Sequence, residues 1–258
     1  MAGVLRIAMW SGPRTLSTAL MRSFASRPDT VVIDEPLYGY YLARTGLDHP
    51  GRDEVIASMP TSWRDVVRRL TAEPVPDGKQ VFYQKHMTHH VLDEVDLEAF
   101  AGLKHAYLIR DPRRLLASYA RVRETPTLAD LGLERQVNIY RRFGGPVIDA
   151  ADLAARPQKV LEALCAALGL AFDETMLRWP AGPQPYDGVW GRYWYATVWK
   201  TSGFEAPGTA DRRPQAPLAP LPPHLRRLAA GCQPFYDELN AHALRPGERL
   251  GPADPPPA

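Results

Sequence analysis

Short apolar runs alternate with polar, helix-patterned stretches along this chain. Residues 4–10, VLRIAMW, have the pattern of a buried strand: brief, almost wholly apolar and ended by the Ser11-Gly12-Pro13 turn. Leu16, Ala19, Leu20, Ser23 and Phe24 then recur at helical spacing over 15–26, until Arg27-Pro28-Asp29 stops the pattern. TVVID (30–34), QVFYQ (80–84), KHAYLIR (104–110) and GPVIDA (145–150) read as four further strands. Ser62 caps a helix over 62–71 that carries Trp63, Val66, Val67 and Leu70 on one face. A helix over 111–122 has proline in its first turn, where a missing N–H costs little, and Gly169 ends another over 157–168. This alternation predicts an α/β fold, a parallel sheet with helices on both faces, as one domain over 1–250. Beyond residue 180 the pattern predicts a cap over about 180–245. It comprises an aromatic, glycine-punctuated loop with a short helix (186–204), an irregular proline-rich run (206–224) and a last helix (224–242) broken near Gly231 or Pro234. The tail 251–258 reads as disordered.

In such sheets ligands bind at the carboxyl ends of the strands. Four consecutive strand ends carry polar groups here: Ser11–Thr18, Asp34-Glu35, Lys85-His86 and Arg110. The first joins a strand to a helix N-terminus, whose unpaired N–H groups and partial positive charge favour an anion. Arg14 sits at the turn, and Thr15, Ser17 and Thr18 add hydroxyls. The Gly-Lys-[Ser/Thr] of the magnesium-nucleotide loop is absent, since Pro13, Arg14, Thr15, Leu16, Ser17 and Thr18 follow Gly12. An arginine fork suits a branched oxyanion without a metal.

Composition narrows the classes further. Lysine plus arginine (31) minus aspartate plus glutamate (29) gives +2 over 258 residues, a balance that calls for neither nucleic acid nor an anionic membrane as partner. No apolar run approaches the ~18 residues of a membrane span, and the start lacks a leader pattern, so a cytoplasmic protein is expected. Cys165 and Cys232 lie in apolar helical patterns without metal-ligand spacing and read as buried thiols.

The loop Ser11-x-Pro13-Arg14-x-x-Ser17-Thr18 resembles the 5′-phosphosulfate loop of sulfotransferases that use 3′-phosphoadenosine 5′-phosphosulfate (PAPS). YLIRDPRRLLASYARV is similar to that family's 3′-phosphate motif, with Arg110 ending a strand and Ser118 on the helix after it. VIDAADLAARPQKVLEALCAALGL (147–170) matches the family's later strand, Asp-Leu pair, proline and Leu-Gly-Leu helix end. DEPLY, YQKHM and DGVW…WY mark the resemblance to bacterial sulfotransferase-like P-loop proteins, some relatives of which are labelled branched-chain aminotransferase-like. Nothing in these residues points to pyridoxal phosphate. The resemblance implies a three-layer P-loop-type sheet and sulfuryl transfer from PAPS, without a metal, to a hydroxyl or amine of a small-molecule acceptor. Ser11, Gly12, Pro13, Arg14, Thr15, Leu16, Ser17, Thr18, Arg110 and Ser118 would hold PAPS. Leu16 replaces a frequent glycine, and the Arg-Lys-Gly loop of animal cytosolic members is missing; Arg192 or Lys200 would stand in for it.

Transfer also needs a base. Glu35 matches a catalytic carboxylate of bacterial and Golgi-type members, and His86 resembles the histidine of cytosolic ones, with Lys85 beside it to assist the leaving phosphate. A glutamate needs burial to raise its pKa, whereas histidine titrates near neutrality unaided. Asp34 reads as a structural partner of Arg14 or Arg110, and Arg113 and Arg114 as a solvated helix face. His86, His89 and His90 have helical spacing, but no further ligand completes a metal site. The long loop 38–53 is expected to line the acceptor site. Trp190, Tyr193, Trp194, Tyr195 and Trp199 read either as cap packing or as an acceptor pocket or lid. Two other classes fit the same layout: an ATP-dependent small-molecule kinase, and a non-catalytic binder of nucleotide or sulfated ligand.

Overall fold

The chain enters through β1 (Leu5–Ser11), turns into α1 (Ser17–Ala25) and returns through β2 (Thr30–Asp34). Three helices, α2 (Tyr38–Thr45), α3 (Arg52–Ser58) and α4 (Trp63–Thr71), precede β3 (Val81–Met87), and β4 (Lys104–Ile109) follows. Next come α5 (Pro112–Tyr119), α6 (Leu128–Leu131), α7 (Leu133–Phe143), β5 (Val147–Asp149), α8 (Ala150–Ala155) and α9 (Pro157–Leu168). The short α10 (Gly191–Trp194) and the long α11 (Pro223–Ala241) complete the helices. This computed structural model describes residues 3–76, 78–120, 125–204 and 220–245.

All five strands are parallel, in the order β2-β3-β1-β4-β5, which is the predicted α/β architecture. The period-2 alternation of the strands sorts their side chains into two apolar layers. Ile7 and Met9 point into a layer with Leu20 and Phe24 of α1 and Leu161 and Leu164 of α9. Ala8 and Trp10 point the other way, towards Val66 and Leu70 of α4, Val137 and Ile139 of α7 and Leu239 of α11. The sheet is therefore covered on both faces.

Several expectations are revised. β3 runs to Met87, paired Trp10 to His86 and Ser11 to Met87, so Lys85 and His86 lie inside the strand on opposite faces. The stretch 38–53 is not one loop: α2 occupies its first half, and α3 begins within it. α11 is unbroken through Gly231 and Pro234. The proline-rich run up to 219 and the tail 251–258 lie outside the described residues.

Candidate active site

At the carboxyl end of the sheet a cavity of about 490 Å³ opens between the β1–α1 loop, the ends of β2 and β3, and the segment 194–204. Its first wall is the loop itself. Ser11 and Gly12 shape it from behind: the Ser11 hydroxyl donates to the His86 carbonyl at 3.1 Å, and a Cβ on Gly12 would meet the Leu131 carbonyl oxygen at 2.7 Å. Pro13, Arg14, Thr15, Leu16, Ser17 and Thr18 line the cavity. Arg14 and Leu16 adopt positive φ (59° and 70°), a conformation that non-glycine residues rarely hold without tertiary support. Support comes from the Thr15 hydroxyl, which donates to the Gly12 carbonyl at 2.9 Å, and from Arg110, which donates to the Arg14 carbonyl.

α1 starts at Ser17 with no side-chain cap and no acidic residue in its first turn. Its first-turn N–H groups therefore face the loop without competition from a carboxylate. Arg14 Nε donates to Ser118 Oγ at 3.1 Å, so the loop and the β4–α5 motif meet directly. Burial holds the Arg110 guanidinium below its ordinary pKa, and repulsion from Arg14 and Arg114 adds to that depression. An anion at this end relieves both repulsions. Arg113 is exposed on α5, while Arg114 donates its backbone N–H to the capping Asp111 carboxylate at 3.0 Å.

The opposite wall is a buried charge network. Lys85 Nζ donates to Asp34 Oδ1 at 2.8 Å, Glu35 Oε1 at 2.6 Å and the Tyr195 hydroxyl at 2.8 Å. The side chains of Lys85 and Asp34 are each 1% exposed, and that of Glu35 is 12% exposed, towards the cavity it lines. Glu35 has φ of +39°, and its N–H donates to the Lys85 carbonyl, so the turn after β2 presses its side chain against β3. Burial raises the Glu35 pKa against the opposing pull of Lys85, with Asp34 adding to the rise. Burial lowers that of Lys85, but the two carboxylates outweigh it and hold the ammonium protonated. Asp34 thus partners Lys85 and Tyr195 rather than Arg14 or Arg110.

The structure separates His86 from this group. Its ring packs 4.3 Å from Trp10 on the far face of the sheet, and Nε2 bonds Gln84 Oε1 at 3.1 Å. Burial, reinforced by His105, pushes it down to about 3. His86 does not line the cavity. His90 does, stacked on Tyr38 and Tyr41 at 4.7 Å each, and His49 accepts or donates at 2.8 Å opposite the Tyr38 hydroxyl. Among the described residues no group of three or more His, Cys, Asp or Glu side chains is placed to hold a metal.

The aromatic segment divides between the two roles. Trp190 is buried, Tyr195 is buried yet borders the cavity, Trp194 lines it, and Tyr193 is 41% exposed. Arg192 pairs with Glu54, and neither Arg192 nor Lys200 reaches the cavity. Nothing in the residue pattern signals that Tyr195 bonds the charged groups of β2 and β3. From the 38–53 stretch, Tyr38, Asp48, His49 and Pro50 do line the cavity. No helix among the described residues is long and apolar enough to cross a membrane.

A parallel α/β sheet with an uncapped, arginine-bearing strand–loop–helix at its switch point defines a class of anion-binding folds. Within that class the sequence profile of the sulfotransferase domain matches residues 5–243, and this chain belongs to that family. It is 38% and 36% identical to Branched-chain-amino-acid aminotransferase-like proteins 1 and 2 of Arabidopsis thaliana, each match covering 98% of this chain and 44% of the relative. The chain thus spans under half the length of these curated relatives. The fold is similar to that of the sulfotransferase domain from the curacin biosynthetic pathway (TM-score 0.53, 17% identity, 90% of this chain and 99% of that one). It is also similar to a sulfotransferase from Alicyclobacillus acidocaldarius (TM-score 0.52, 14% identity, 93% and 96%).

Proposed function

We propose that the protein transfers a sulfuryl group from PAPS to a hydroxyl or amine of a small-molecule acceptor. The observation that carries this reading is one cavity with an arginine-rich, uncapped helix N-terminus on one wall and a half-neutralised glutamate on the other. When bound, PAPS supplies a sulfuryl group whose bond to the 5′-phosphate oxygen breaks as the bond to the acceptor forms. The chain's own residues then have distinct tasks. Ser17, Thr18 and the first amides of α1 bind anionic oxygens, and Arg14 balances the negative charge that develops on the phosphate side. Arg110 and Ser118 set Arg14 and bind the nucleotide's second phosphate.

Glu35 takes the acceptor's proton. Its Oε1 is held by Lys85, while no hydrogen bond among the described residues uses Oε2. Burial raises its basicity, as a general base requires. His86 does not serve as base, because it lies across the sheet and its ring is strongly disfavoured from protonation. Lys85 spends all three ammonium hydrogens on protein acceptors and orders Glu35 rather than reaching the leaving phosphate.

The test is thermal stabilisation by 3′,5′-adenosine bisphosphate. Stabilisation that Arg14→Ala and Arg110→Ala abolish supports the reading. No stabilisation at millimolar nucleotide, or a magnesium-dependent preference for ATP, sinks it.

A further inference from the structure

The network around Glu35 closes through the last residue of the DGVW…WY motif, to which the motif itself assigns no task. Tyr195 follows α10, 161 residues from Asp34, yet its hydroxyl meets Asp34 Oδ2 at 2.6 Å, Lys85 Nζ at 2.8 Å and Trp190 Nε1 at 3.1 Å. A phenol has one proton and two acceptor sites. Lys85 and Trp190 can only donate, so the phenolic proton goes to Asp34. The hydroxyl is then saturated, and the 3.3 Å approach to Glu35 Oε1 carries no proton of its own. Lys85 is saturated too, with one hydrogen each for Asp34, Glu35 and Tyr195.

This count fixes the geometry of the base. As acceptor, Tyr195 occupies the third Lys85 hydrogen, which is thereby kept from Glu35 Oε2. As donor, it satisfies the second Asp34 oxygen, which would otherwise draw Lys85 away from Glu35. The Tyr195 side chain is seated for this task and not at the surface: the residue is 5% exposed, its ring lies 5.1 Å from the Lys85 ammonium, and Trp190 is 3% exposed beside it.

We propose that Tyr195 is a positioning residue for Glu35, acting through Lys85: its hydroxyl keeps Lys85 on a single oxygen of Glu35 and leaves Oε2 for the acceptor's proton. The inference rests on the reading of Glu35 as the base. Without the hydroxyl, Asp34 Oδ2 is a buried anionic oxygen lacking its best donor, and Lys85 turns to it. Glu35 then loses its cation. The groups facing Glu35 are Asp34 on β2, Lys85 on β3, Tyr38 on α2 and Tyr195 itself, so a change in its titration on removing the hydroxyl reports this redistribution.

The experiment is a ¹³C titration of the glutamate carboxyl carbons in the full chain, with the Glu35 signal assigned by its loss in Glu35→Gln. In Tyr195→Phe, which keeps the ring, the midpoint of Glu35 rises by about one pH unit, a tenfold change in its proton affinity. Affinity for 3′,5′-adenosine bisphosphate stays within about twofold. Trp190→Phe, which removes one anchor of the hydroxyl, gives a smaller rise in the same direction. An unmoved or lowered midpoint in Tyr195→Phe overturns the proposal; so does a loss of bisphosphate affinity that parallels the rise, since that marks a general loosening of the fold. Should Tyr195→Phe not fold, the Trp190→Phe titration decides alone, with an unmoved midpoint as the refutation. If the unaltered protein does not bind the bisphosphate, the functional reading fails, while the titration still reports on Tyr195.

Discussion

Lys85 is the residue on which the wall opposite the loop depends most. It is 1% exposed between two carboxylates, so its removal leaves Asp34 and Glu35 buried without a cation. Removing one partner of a buried ion network costs about 3–5 kcal/mol. Lys85→Met is therefore expected to lose that much stability in urea unfolding, far more than the loss of a surface pair such as Arg44–Glu94, whose partners are 62% and 43% exposed. At this scale the sequence was only partly legible. Arg14, Arg110 and Glu35, the residues proposed here for the anion loop and the base, stand out in the sequence by type and by their place at strand ends. The contacts that set their protonation are not, because Tyr195 reaches Asp34 only through the folded cap.

Elements were legible where their apolar period was clean, as in β1, β2, α4 and α9: the bounds of β2 and α9 coincide with the expected ones, and those of β1 and α4 lie within one residue of them. The end of β3 was obscured because Lys85 and His86, which lie between the expected end at Gln84 and the last residue Met87, are polar though buried. α7 was not recognised because its inner face carries Gln136, whose amide donates to the Trp10 and Leu108 carbonyls at 3.0 and 3.1 Å. The unbroken α11 supplies a test of helical propensity. A Cβ on Gly231 meets nothing within 4 Å, so Gly231→Ala is expected to raise the unfolding free energy by about 0.5–1 kcal/mol. Gly12→Ala has the opposite sign, since its Cβ would come within 2.7 Å of the Leu131 carbonyl oxygen. Displacing that backbone costs on the order of 1–3 kcal/mol. It also moves the loop, so reduced bisphosphate affinity should accompany a lowered urea midpoint for Gly12→Ala and not for Gly231→Ala.

For the molecule as a whole, the polar residues buried in the sheet set its response to acid. His105 accepts from Trp10 Nε1 through Nδ1 at 3.0 Å and bonds the Phe100 carbonyl through Nε2 at 3.1 Å, an arrangement only the neutral ring satisfies. Burial lowers His105 from 6.5 to about 4, and burial with the charge of His105 lowers His86 from 6.5 to about 3. Both rings are neutral when folded and protonate on unfolding below pH 6.5, so their contribution is complete above that value and is lost as pH falls towards 4 and then 3. Each adds a slope of up to about 1.4 kcal/mol per pH unit. Glu35, raised by burial, acts in the other sense: its contribution is present below 4.5 and lost as pH rises through its folded value. Urea unfolding of His86→Gln between pH 6.5 and 4 should show a slope smaller by about one proton than that of the unaltered protein.

Arg22, on α1, is fully buried and has its partners in the cap: the Gly182 carbonyl at 2.8 Å and the Asp187 carboxylate at 2.7 Å. The segment after residue 180 therefore satisfies buried charged groups at two places, pairing Arg22 of α1 through Asp187 and hydrogen-bonding Asp34 of β2 and Lys85 of β3 through Tyr195. A cap that supplies the partners of buried charges cannot evolve, or be engineered, as an interchangeable lid. Changes to the cavity's lining would have to arise in the residues around these two anchors, with Asp187 and Tyr195 themselves kept.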